Sequence, residues 1–173
     1  MAEDSRIFLA VGSNLDDRYQ NLKNGIHLIN EHPHIWVLNK SYVYESPAMY
    51  YSDQSDFYNM VIEIDTNLNP LELLKEIKNI ELILGRNTKN KKNMPRTLDL
   101  DILAIGDLLI HSKLLEIPHP KIAERKFVLK PWNDIASDFI VPNINKSITE
   151  LLKITTDSSS TRMVLVIEGK ESK

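Results

Sequence analysis

Arg96-Thr97-Leu98-Asp99-Leu100-Asp101-Ile102-Leu103 is the stretch whose reading decides the fold. Side chains on a strand alternate faces with period two. A strand from about Thr97 to Ile105 therefore sends Leu98, Leu100 and Ile102 to one face, and Asp99 and Asp101 to the other. Upstream, Asn69-Pro70 supplies an N-cap and a first-turn proline for a helix. Leu73, Leu74, Ile77, Ile80 and Leu84 form its apolar stripe, and Gly85 ends it. Further back, a strand from about Phe57 to Ile64 alternates Tyr58, Met60, Ile62 and Ile64 with Phe57, Asn59, Val61 and Glu63. A loop from Ala48 to Asp56 precedes it. A run from Ile35 to Tyr44, rich in β-branched and aromatic residues, predicts another strand. Asp16 and Asp17 start a helix over about 17–30, with Leu22, Ile26 and Ile29 at helical spacing. Ile7 to Val11 is the first strand, closed by Gly12-Ser13-Asn14.

The resulting order, βαββαβ, predicts an α+β, ferredoxin-like sandwich with a C-terminal helical and strand extension. That extension holds a short helix after Pro118, another near 147–154 and a last strand near 163–167. Residues 156–161 are expected as a loop. The chain of 173 residues suits one domain, residues 1–173.

With 42% hydrophobic and 26% charged residues, the composition is that of an ordinary soluble globular protein. The formal net charge of -3 argues against a nucleic-acid partner, so any basic site must be local. With no cysteine, thiolate metal sites, disulfides and a cysteine nucleophile are excluded. No apolar run approaches the roughly 20 residues needed to span a bilayer. The N-terminus, Met1-Ala2-Glu3-Asp4-Ser5, has no apolar signal core. A cytoplasmic protein with no membrane partner is expected.

Two carboxylates on one face of a strand repel each other unless a cation lies between them. Oxygen donors of this kind suit magnesium, which takes one or two carboxylates together with substrate phosphates. Arg96 stands just before the strand, and Lys89, Lys91 and Lys92 lie in the preceding loop. Metal ligands beside cations are what a nucleoside triphosphate needs. There is no Walker A sequence and no Gly-x-Gly-x-x-Gly. Taken alone, the carboxylate pair fits equally well a solvated edge strand, and the basic run a solvated loop.

These segments together resemble the hydroxymethyldihydropterin pyrophosphokinases. The carrying residues are Gly12-Ser13-Asn14-Leu15, Tyr44-Glu45-Ser46-Pro47, Phe57-Tyr58-Asn59, Ile80-Glu81 with Gly85-Arg86, Pro95 to Ile102, Ile117-Pro118-His119-Pro120 and Arg125-Lys126-Phe127. The resemblance extends to about Pro142. It implies transfer of the β,γ-pyrophosphate of ATP to the hydroxymethyl oxygen of 6-hydroxymethyl-7,8-dihydropterin, leaving AMP, a step of folate biosynthesis. It implies two Mg2+ ions on Asp99 and Asp101, and catalytic roles for Arg86, Arg96, Asp99 and Asp101. Lys78, Glu81, Arg86, Arg96, Ile102, Ile117, His119 and Arg125 would meet ATP. Ser46, Pro47, Ala48, Met49, Phe57, Asn59, Asp99 and Phe127 would meet the pterin, the two phenylalanines stacking on its ring. The chain would act as a monomer, its product passing to dihydropteroate synthase.

Several residues keep a second reading when taken singly. Phe127 fits a core aromatic, His119 a loop histidine, Lys78 and Glu81 a surface ion pair, and Ile102 and Ile117 plain core. The chain also departs from the family pattern. Asn93 and Met94 stand where an aromatic residue and a small one are common before Pro95-Arg96, which leaves Tyr50 or Tyr51 as alternative sources of an aromatic lid. Ala48 replaces a second proline, Lys78 a glutamine and Pro120 a tyrosine. The rival classes are a sheet-based RNA binder, using Phe57 and Tyr58, and a non-catalytic interaction module of the same fold.

Overall fold

The computed structural model describes residues 5–49, 53–86 and 94–168. In chain order, strand β1 (Ile7–Ser13) leads to helix α1 (Arg18–Glu31), then to strands β2 (Ile35–Lys40), β3 (Val43–Ser46) and β4 (Phe57–Thr66). Helix α2 (Pro70–Ile83) and strand β5 (Asp99–Ile105) complete a βαβββαβ unit, one strand more than the expected βαββαβ. Beyond it come β6 (Ile110–His111), β7 (Glu116–Ile117), a 3-10 turn (Ile122–Glu124), helix α3 (Lys126–Ala136), β8 (Ile140–Val141), β9 (Lys146–Ser147), helix α4 (Ile148–Ile154) and β10 (Arg162–Leu165).

The main sheet has six strands in the order β10-β3-β4-β1-β5, with β2 also on β4. All of its pairings are antiparallel. β2 and β3 share one flank of β4: β2 pairs with residues up to Thr66, and β3 with Phe57, Tyr58 and Asn59. The single strand expected over 35–44 is thus two. The break falls at Ser41, whose hydroxyl accepts from the Val61 N–H at 2.9 Å while donating to the Tyr42 carbonyl at 2.7 Å. A side chain here replaces a ladder bond, and the chain switches register without leaving the sheet.

Local chemistry explains the helices of the unit. The Asp17 carboxylate caps α1 by accepting from the Gln20 N–H at 3.0 Å. Asn69 and Glu72 close a reciprocal capping box on α2. Gly85, at φ +90°, turns the chain out of α2 in a conformation other residues resist. Leu22, Ile26, Ile29, Leu73, Ile77 and Ile80 then pack on Leu9, Val11, Ile62, Ile64, Leu98, Leu100 and Ile102 across one sheet face. At Gly25 a Cβ would lie 2.8 Å from a Leu98 methyl, so α1 approaches the start of β5 closely.

On the other face lies α3, longer than the short helix expected after Pro118, and Pro131 sits inside it. Phe8, Trp132 and Phe139 pack as a ring cluster with centroids 5.0–5.6 Å apart. Val61, Leu103, Ala104, Val128 and Leu129 complete this second core. α3 covers only part of the face, and the remainder is open. Asp99 and Asp101 project there, while Leu100 and Ile102 pack toward α1 and α2. Leu103 follows the two aspartates onto the α3 side, and a register shift opposite Phe8 and Leu9 places Ala104 there as well, ending the strict alternation. No helix among the described residues is long and apolar enough to cross a membrane.

Candidate active site

The open part of the sheet and the start of α3 enclose one cleft. β1 gives its floor through Ala10 and Gly12, and β4 gives Phe57 and Asn59. Gly12 is needed there, because a Cβ would come within 2.9 Å of the Asn59 side-chain oxygen. β5 contributes Asp99 and Asp101. The segment from β7 to α3 contributes His119, Arg125 and Phe127, and the end of β3 contributes Ser46, Pro47, Ala48 and Met49. Arg86 and Arg96 flank the carboxylates.

Asp99 is gripped by two arginines. Arg86 Nη1 and Arg96 Nη1 each lie 3.1 Å from its Oδ1. Asp101 faces Lys78 Nζ at 3.4 Å. Behind both stands Glu81, only 1% exposed. Its Oε1 accepts from the Leu100 N–H at 2.6 Å and from Lys78 Nζ at 2.8 Å, and its Oε2 accepts from Arg86. Lys78 also donates to the Leu100 carbonyl. The pair expected to meet ATP, or else to be a surface ion pair, is a brace tying α2 to β5, with Glu81 buried and Lys78 half-buried. Burial pushes the Glu81 carboxyl up, opposed by Lys78 and the Leu100 N–H. Burial also acts to raise Asp101, but the charges of Lys78, His119 and Arg125 outweigh it and hold the carboxyl below its usual range. Burial lowers His119, helped by Arg125 and Lys121 and opposed by Asp101.

The opposite wall is uncharged. Asn59 Nδ2 donates to Ser46 Oγ at 2.9 Å, with both residues buried. This fixes the amide's orientation and leaves its oxygen as an acceptor. Phe57 and Phe127 line the same cleft. The Arg96 guanidinium lies 6.0 Å from the Phe57 ring, and that of Arg125 lies 5.7 Å from the Phe127 ring. The Nε atoms of Arg96 and Arg125 are buried and have no hydrogen-bond partner among the described residues. Buried charged donors left unmade are costly, and an anionic ligand would satisfy them.

Of the residues singled out from sequence, Ile102 and Ile117 are not brought to the cleft. At 3% and 0% exposed, both lie in the core beneath α1 and α2. Lys78 and Glu81 stand behind the carboxylates rather than in the cleft lining. Lys89, Lys91, Lys92, Asn93, Tyr50 and Tyr51 lie outside the described residues. Asn14 was legible as part of the Gly12-Ser13-Asn14 turn, but its task was not. Its Oδ1 accepts from the Arg96 N–H at 2.9 Å, and its own N–H donates to the Arg96 carbonyl at 3.2 Å. A residue distant in sequence thus clamps the arginine beside Asp99. Asp99 and Asp101 come together without a third His, Asp or Glu positioned for metal binding among the described residues. Two hard oxygen donors on one face fit a magnesium ion that completes its shell with phosphate and water.

Fold and cleft together define a ferredoxin-like α+β protein whose open sheet face pairs a carboxylate and arginine cluster with an aromatic and amide wall. Residues 8–137 match the family model described as 7,8-dihydro-6-hydroxymethylpterin-pyrophosphokinase (HPPK), and the chain belongs to that family. The 2-amino-4-hydroxy-6-hydroxymethyldihydropteridine pyrophosphokinase of Bacillus subtilis is 42% identical over 128 residues, covering 74% of this chain and 76% of that protein. The folic acid synthesis protein FOL1 of Dictyostelium discoideum is 41% identical over 144 residues, 83% of this chain but 22% of that protein. The chain thus spans about a fifth of the length of such larger relatives. A solved Plasmodium falciparum HPPK-DHPS with pteroate superposes with a TM-score of 0.70 over 87% of this chain and 43% of that one, at 17% identity, a likeness of fold.

Proposed function

We propose that this chain transfers the pyrophosphoryl group of ATP to 6-hydroxymethyl-7,8-dihydropterin, as one domain over residues 1–173. The hydroxymethyl oxygen bonds to the β phosphorus, the bond from that phosphorus to the oxygen bridging it to the α phosphorus breaks, and AMP leaves. The hydroxyl proton is released. The observation that carries this reading is the cleft's two-sided chemistry: Asp99, Asp101, Arg86, Arg96, Arg125 and His119 on one side, and Phe57, Asn59, Ser46 and Phe127 on the other.

In this reading Phe57 and Phe127 sandwich the flat ring, and Asn59, fixed by Ser46, reads its polar edge. Pro47, Ala48 and Met49 close over the pterin side. Arg96 and Arg125 present planar forks to phosphate oxygens, and their buried Nε donors have no partner among the described residues. Arg86, held by Glu81, brings positive charge to the transferring group. Asp99 and Asp101 would hold two Mg2+ ions, which when bound neutralise phosphate charge and align the attacking and leaving oxygens. Positioning and charge neutralisation carry most of such a transfer, so no side chain need act as a strong base. Monomeric action, a cytoplasmic setting and delivery of the product to dihydropteroate synthase belong to the same proposal. The last is supported by relatives in which HPPK and DHPS share a chain.

The test is AMP release from ATP and magnesium, with and without the pterin. AMP made only with the pterin supports the reading. Salt-sensitive RNA binding with no AMP would favour the RNA-binding rival.

A further inference from the structure

Helix α3 begins at the cleft with Arg125 and Phe127, yet Arg125, its N-cap, makes no side-chain capping bond. The cap comes from far along the chain. The Lys126 N–H donates to Asp157 Oδ2 at 2.8 Å, across 31 residues. Asp157 is itself held by its own loop: its Oδ1 accepts from the Ser159 N–H at 2.8 Å, and its N–H donates to Thr155 Oγ1 at 3.3 Å. Two lysines of α3 reach the same loop. Lys126 Nζ donates to the Ser159 carbonyl at 3.4 Å, and Lys130 Nζ to the Thr161 carbonyl. The chain then enters β10 and pairs with β3, Arg162 opposite Glu45 and Met163 opposite Tyr44. β3 ends at Ser46, in the other wall of the cleft. The strap of residues 155–165 therefore joins the start of α3 to the strand bearing Ser46. It lies wholly beyond the residues that match the family model.

A carboxylate at a helix N-terminus satisfies an orphan N–H and meets the positive end of the helix dipole. Burial acts to raise the Asp157 carboxyl, but the hydrogen bonds from Ser159 and Lys126 outweigh it and keep it ionised. We propose that Asp157 is a positioning residue: capping α3 from the C-terminal strap, it fixes the helix's first turn and so holds Arg125 and Phe127 where the ligands bind. The statement about ligands rests on the pyrophosphokinase reading, whereas the one about the helix turn does not.

The test compares Asp157→Ala with Ser147→Ala. Ser147 caps α4 through its own box with Glu150 and lines no part of the cleft, so it controls for the loss of one cap. Both variants should lower Tm. Only Asp157→Ala should weaken pterin binding by titration, about three- to tenfold for a lost cap, and speed hydrogen exchange of amides 126–129. Asp157→Asn keeps one acceptor oxygen and should fall between, and it carries the comparison if the alanine variant does not fold. Equal losses of Tm with wild-type pterin affinity in both would overturn the proposal. A wild type that makes no AMP would overturn the functional reading alone, and unchanged exchange at 126–129 in the Asp157 variant would still overturn the strap.

Discussion

Asp99 and Asp101 sit two residues apart on β5 and face the same cleft. Sequence alone indicates this much, because strand alternation is local geometry. On the proposed reading, removing either carboxylate deletes a metal and phosphate organiser from a face that needs no packing there. Asp99→Ala and Asp101→Ala should each cut turnover on the order of 1,000-fold while lowering the unfolding midpoint only modestly, as Arg86, Arg96 and Lys78 each lose an anionic partner. Near wild-type AMP production in either variant would remove the role given to it. Glu81 was legible as a residue but not as a buried brace, since its i,i+3 spacing from Lys78 looks like any exposed helical pair. Its burial follows from how α2 docks on β5, which no local pattern encodes. Glu81→Gln leaves Lys78 and Arg86 short of an anion. Because both cations still reach water, the loss should be about 3 kcal/mol at most, measured by urea unfolding, and turnover should fall with it as Arg86 loosens.

Helices α1, α2 and α4 were readable because each carries its start signal next to itself: Asp17, the Asn69–Glu72 box and the Ser147–Glu150 box. α3 was underread because its cap is Asp157, far along the chain, and because Pro131 looks like a stop. The run from Ile35 to Tyr44 has strand composition throughout, but composition does not say which register each half takes on β4. The junction of β3 and α3 also predicts a response to pH. The Tyr44 hydroxyl donates to Asp134 Oδ1 at 3.0 Å. Burial, then this hydrogen bond, push the phenol up to about 12. The native state thus keeps a proton that the unfolded chain loses from about pH 10. Its stabilising contribution is complete below that pH and is lost as pH rises toward 12. The urea midpoint of the wild type should fall more steeply over this window than that of Tyr44→Phe. Parallel slopes would contradict the buried phenol–carboxylate contact.

For the molecule as a whole, the alternation of strands and helices was legible, apart from the split of the 35–44 run into two strands, because hydrophobic period switches between two and 3.6 along the chain. The cleft was only half legible. Its carboxylates, arginines and phenylalanines stood out, but their convergence depends on long-range contacts such as the Asn14 clamp on Arg96 and the strap on α3. The two small hairpins β6–β7 and β8–β9 escaped because strands of two residues have no period to read. The central claim, that this cleft directs attack at the β phosphorus, is tested most directly with ATP carrying oxygen-18 in the bridge between its α and β phosphorus atoms. After turnover with magnesium and the pterin, the label should be found in AMP, formed one for one with the pterin diphosphate. Label retained in the diphosphate, or ADP in place of AMP, would contradict the account.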